Sequence, residues 1–129
     1  MSLTLATMMV LTPDLDEARQ FYCGVLGFGL ESATEHQLVL AHAGAAFHVF
    51  RSQEAAPPAR HGAQAASVFV FGVGDIDAAM ADLRAKGVRF IHGRPARNAH
   101  GRYAAFHAPG GNVHEIFEAS VASERPQDV

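Results

Sequence analysis

One pattern is written twice along this chain, and a repeat of that length constrains the fold more than any single residue does. Asp14-Leu15-Asp16 returns 61 residues later as Asp75-Ile76-Asp77, and Gly27-Phe28 returns 60 later as Gly87-Val88. Phe47-His48-Val49-Phe50 returns 67 later as His114-Glu115-Ile116-Phe117, the added length falling in a loop around 92–101.

The first copy opens with the short apolar stretch LATMMVL (5–11), read as a strand. Asp14 then stands as an N-cap with Glu17 three residues on, the spacing of a capping box. Leu15, Ala18, Phe21, Tyr22 and Val25 recur at helical spacing, and Gly27 supplies a stop. LESA (30–33), HQLVLA (36–41) and AAFHVF (45–50) follow as three strands, with HAG at 42–44 as the clearest turn. The second copy gives a strand at 66–73, a helix at 75–87, and strands at 88–91, 102–107 and 112–119, the last two joined by Pro109-Gly110-Gly111. The expectation is one domain over 1–119, with modules at 3–51 and 66–119, an exposed linker at 52–65 and a frayed tail at 120–129. Neither module alone should bury its helix and sheet face completely.

Composition narrows the function classes. With 49% hydrophobic and 18% charged residues among 129, the chain is a globular protein of one-domain size. A net charge of -3 implies no strong field, and the basic residues between Arg84 and Arg102 lack interleaved stacking aromatics, so no nucleic acid partner is expected. No run of eighteen apolar residues is present, and no membrane partner is expected. The single cysteine, Cys23, fits a reducing compartment and reads as packing. With no signal-peptide pattern at the start, a cytoplasmic location is expected.

Several motifs are excluded. His114-Glu115 begins like the zinc-binding HExxH helix, but the fifth position is Glu118 and the surrounding pattern is a strand. GVGD and PGGN lack the full spacing of a phosphate loop, and no catalytic triad stands out.

The doubled unit, with DLDEARQFYCGVLGFGLE in its first half and GRYAAFHAPGGNVHEIFEA closing its second, resembles the vicinal oxygen chelate superfamily of glyoxalase I, bleomycin and fosfomycin resistance proteins and extradiol dioxygenases. The resemblance covers about residues 5–119. It implies an α+β fold, two tandem βαβββ modules forming a cupped mixed sheet around a concave pocket, and pairing into a homodimer. In the metalloenzymes of that group, ligands come from the first and last strand of each module. Carried onto this chain, those places are Thr7 and His48, then Val68 and Glu115.

Strand alternation supports part of that assignment independently. Val113, Glu115 and Phe117 share one face and His114 the other, while Ala46, His48 and Phe50 share the matching face. His48 and Glu115 are thus the candidate metal ligands, and equally the candidate catalytic pair, with His48 able to act as a general base without metal. Two ligands are too few for an active divalent site, and Thr7 and Val68 do not complete one. His36, His61, His92, His100 or His107 would have to be brought near.

Four residues are candidates for the pocket wall. Phe50 and Phe117 fall on the His48 and Glu115 faces and suit a flat or aromatic ligand. Arg102 offers a planar fork for an anion, and Tyr103 points to the opposite side of the same strand. The favoured reading is a small-molecule binding protein of the bleomycin resistance type without an obligatory metal. The alternative is a metal-dependent glyoxalase-like lyase or isomerase, dioxygenase or thiol transferase using His48 and Glu115 with Zn, Fe, Mn or Ni.

Overall fold

The computed structural model describes residues 1–41, 43–54 and 67–120. Most of the expected linker and tail, together with His42 of the first turn and His61, lies outside the described residues.

Module one runs β1 (Met8–Thr12), α1 (Leu15–Arg19), β2 (Gly29–Ala33), β3 (Gln37–Ala41) and β4 (Phe47–Arg51). Its sheet has the order β1-β4-β3-β2, with β1 parallel to β4 and the other pairs antiparallel. The Asp14 carboxylate accepts the Glu17 amide at 3.0 Å, so the expected cap is formed. The expected single helix changes winding, however. From Gln20 to Val25 it is a π-helix, in which the Leu26 amide donates to the Phe21 carbonyl at 2.9 Å. Gly27, at φ 84°, then takes the left-handed conformation that ends it. The helix packs on β3 and β4, and the core beneath is aromatic. Tyr22, Phe47 and Val49 are 0% exposed, with the Tyr22 ring edge-on to Phe47 at 5.3 Å. Burial pushes the Tyr22 phenol well above its ordinary range.

Module two runs β5 (Phe69–Gly72), α2 (Ile76–Ala85), β6 (Ala96–Asn98), β7 (Gly101–His107) and β8 (Val113–Ala119). Its sheet order, β5-β8-β7-β6, repeats that of module one with β5 parallel to β8. The start of α2 is held twice. Asp75 accepts the Ala78 amide at 3.1 Å, and Glu118 of β8 reaches over to accept the Ile76 amide at 2.9 Å. The expected α+β class, two βαβββ modules in tandem, is therefore the class observed.

One expectation fails in module two. The strand read at 88–91 is reduced to a single bridge between Phe90 and Phe106, and the loop read at 92–101 contains β6. The chain joins β7 through Ile91 N to Ala105 O (2.8 Å) and His107 N to Arg89 O (3.0 Å). It then breaks away at His92, whose ring nitrogen Nδ1 takes the Ala105 amide at 2.9 Å in place of a backbone carbonyl. Pairing resumes only at Ala96, opposite Tyr103, just after Pro95, which has no amide to donate.

Chain contacts define two compact units, Met1–Pro57 with Pro109–Gly111, and Pro58–Ala108 with Asn112–Val129. In the first unit, Gly110 sits at φ 81° against β1, and a Cβ there would lie 2.5 Å from the Leu11 carbonyl oxygen. Among the described residues, no helix is long and apolar enough to cross a membrane.

Candidate functional site

Each sheet has one face covered by its own helix and one face that the helix leaves open. In module one the covered face carries Val10, Thr12, Leu38, Leu40, Phe47 and Val49, all buried. The open face follows from the register, which sets Met9 beside His48 and Leu11 beside Phe50, with Val39 on the other side of His48. The His48 and Phe50 rings lie 5.9 Å apart on that face. Met9 and Leu11 are about half exposed, at 50% and 49%.

Module two repeats the arrangement. Its register sets Val70 beside Glu115 and Gly72 beside Phe117, with Ala105 and Tyr103 opposite the same two residues on β7. Val70 is 51% exposed, matching its repeat partner Met9. His114 points to the covered side. It is 2% exposed, stacked on Phe69 with ring centroids 5.5 Å apart and planes 3° from parallel, and Phe71 and Phe106 meet it edge-on. Burial pulls its pKa down to about 4, against a weaker opposing backbone hydrogen bond at Val113, so the ring is neutral near pH 7.

The remaining candidates fall in different places. Tyr103 lies on the open face. Arg102, one residue earlier, lies on the other side and is tied to Glu118 at 2.9 and 3.1 Å and to Asp77 at 3.0 Å. The Ile76 amide, and after it Arg102, hold the Glu118 carboxyl below the usual carboxylate range. The Arg102 fork thus links β7, β8 and the first turn of α2. The Thr7 hydroxyl donates to the Met8 and Ala46 carbonyls at 3.1 and 3.2 Å. Val68 is half-buried ahead of β5.

Sequence reasoning missed two of the residues that shape these faces and named a third, His92, only as a histidine that would have to be brought near. Met9 and Val70 are the in-register neighbours of His48 and Glu115, and the repeat offset of 61 that relates the two helix caps also relates them. His92 joins the β7 ladder through its side chain, and no local pattern marks that. A hollow of about 500 Å³ in module one, lined by Pro13, Asp14, Leu15, Asp16, Thr34, Glu35 and Arg51, contains none of the expected site residues.

A family model described as Glyoxalase/Bleomycin resistance protein/Dioxygenase superfamily matches residues 4–116. The chain belongs to that superfamily. No curated protein matches it in sequence. Among solved structures it is similar to a superfamily protein from Nocardioides, 23% identical over 94% of this chain and 87% of that one, with a TM-score of 0.74. It is also similar to the fosfomycin resistance protein FosX from Listeria monocytogenes in complex with Mn(II) and sulfate, 14% identical over 100% of both chains, with a TM-score of 0.77. A third likeness is to TnmS3, an antibiotic binding protein from Streptomyces sp. CB03234, 25% identical over 93% of this chain and 99% of that one, with a TM-score of 0.63. The first two likenesses are of fold alone.

A catalytic divalent site needs several imidazole, carboxylate or thiolate ligands converging with one position left open. His48 and Glu115 are flanked in register by a thioether in one case and an isopropyl group in the other. Among the described residues, no three His, Cys, Asp or Glu side chains gather as a metal-binding group. Counted among the described residues, that is fewer converging donors than such a site needs.

Proposed function

We propose that this superfamily member binds a small, largely apolar molecule without an obligatory metal, the open sheet face of each module offering a surface for it. The observation that carries this reading is the register: Met9 beside His48 and Val70 beside Glu115, both half exposed. An apolar wall with a few hydrogen-bonding groups is how small-molecule pockets are usually made, the apolar area giving affinity and the polar atoms giving orientation. Phe50 and Phe117 extend the wall beside His48 and Glu115, and Tyr103 adds a phenol. The likeness to TnmS3, an antibiotic binding protein, supports the same class of function. His48 and Glu115 act in this reading as hydrogen-bonding anchors. The protein works as a homodimer in the cytoplasm, where Cys23 stays reduced.

The test combines titration calorimetry against a panel of antibiotics and planar aromatic compounds with elemental analysis of protein purified without chelator or metal-affinity tag. The expected result is saturable binding with no added metal, weakened about tenfold by Phe50→Ala or Phe117→Ala. Light scattering should give twice the chain mass. Near one divalent ion per chain, lost in His48→Ala, would overturn the metal-free reading and restore the enzyme alternative.

A further inference from the structure

We propose that His92 is a positioning residue for the open face of module two and that it ties binding there to pH, an inference that rests on the ligand-binding reading above. Three contacts carry it. The Ala105 amide donates to His92 Nδ1 at 2.9 Å, filling the place a backbone carbonyl would take in an unbroken ladder. The His92 and Tyr103 rings meet at 90° with centroids 5.5 Å apart. Arg84 of α2 donates to the His92 and Gly93 carbonyls at 3.2 and 2.6 Å, so the backbone that carries the ring is held from the helix side as well.

A backbone amide can donate only to an unprotonated ring nitrogen, so the Ala105 bond requires the neutral ring with its hydrogen on Nε2. An imidazolium would set one N–H against another at this point, and the bond must open. Tyr103 is the titratable group that meets the ring, Arg84 of α2 holds the His92 backbone, and His107 of β7 and Glu115 of β8, the cross-strand partner of Ala105, lie along the same sheet face. Arg102 and Glu118 lie on the other side of the sheet and are engaged with each other and with Asp77. When His92 leaves the Ala105 amide, Tyr103 loses the ring that meets it at right angles. Tyr103 is the cross-strand partner of Phe117, so the aromatic wall of this face loosens in acid.

The experiment uses 2-naphthol, a planar probe that stays neutral between about pH 8 and about pH 5.5, the interval in which an imidazole changes charge. Its affinity for the whole protein is measured at both ends, alongside carbon NMR of labelled tyrosine, which has only two residues to resolve. The wild type should lose about fivefold in affinity on acidification, the worth of one hydrogen bond, and the Tyr103 ring signals should move with it. His92→Asn, whose side-chain oxygen accepts the Ala105 amide at every pH, should lose under about twofold, with Tyr103 stationary. His92→Phe should show at pH 8 the Tyr103 position of the acidified wild type. His114 is present in every variant, so its contribution remains in the baseline. Equal acid losses in the wild type and His92→Asn, or Tyr103 signals that ignore pH, would overturn the proposal. Failure of every form to bind 2-naphthol at pH 8 would instead overturn the ligand-face reading, while the Tyr103 signals would still decide the His92 contact.

Discussion

His114 stands where module one has Phe47, both of them buried on the helix side of the last strand. An imidazole in an aromatic core must stay neutral, and its pKa falls from 6.5 to about 4. The unfolded chain therefore binds the extra proton first. The stability tied to this group is whole above the unfolded value and is lost as pH falls from 6.5 towards about 4. The loss is on the order of 3 kcal/mol. Denaturant titrations across this range should find it in the wild type, and His114→Phe, which restores the module-one residue, should flatten the curve there. Much of this was legible beforehand. Strand alternation already set His114 on the face opposite Glu115, pointing away from the expected cup. Arg102 was less legible, because alternation separates it from Tyr103 without saying which of the two lies inward. Its partners Asp77 and Glu118 come from two other elements, and no local pattern marks such a contact.

At the scale of elements, α2 depends on a residue far along the chain. Its first amide, on Ile76, is satisfied by Glu118 of β8, which Arg102 holds in place. Glu118→Gln keeps an oxygen acceptor but loses the charge that Arg102 orients, so amide exchange at Ile76 should quicken by about fivefold while the middle of α2 is unchanged. The lowered Glu118 pKa gives support that is present above the ordinary carboxylate range and fades as pH falls through the lowered value, below the window in which His114 acts. The strand–helix periodicities and caps could be read because they are local: Asp14 and Asp75 cap as their spacing implies. The π-helical winding after Arg19 and the break at His92 could not. In the first, one backbone bond skips a residue; in the second, a side chain replaces a carbonyl, and neither alters the hydrophobic pattern that periodicity reads.

For the whole molecule, the repeat sets both what is shared and what differs. Both modules have the same strand order, the same parallel closure of first strand on last, and an apolar neighbour beside His48 in one and Glu115 in the other. The turn Pro109–Gly111 departs from that symmetry, since by contact it belongs with Met1–Pro57. At Gly110 a side chain would need left-handed backbone and would meet the Leu11 carbonyl. Gly110→Ala should therefore cost about 1–3 kcal/mol in chemical denaturation, more than alanine at Gly27, where a Cβ meets nothing within 4 Å. The same turn bears on the order of assembly during synthesis. All the strands of module one exist once Arg51 has been made, so its sheet can pair early. The piece that completes that unit is not made until β7 has been translated. Chains stalled on the ribosome just before Pro109 should accordingly hold module one paired but cleavable near β1, and chains stalled well past Gly111 should resist the same protease. The first half of the protein begins folding alone and is finished by the second.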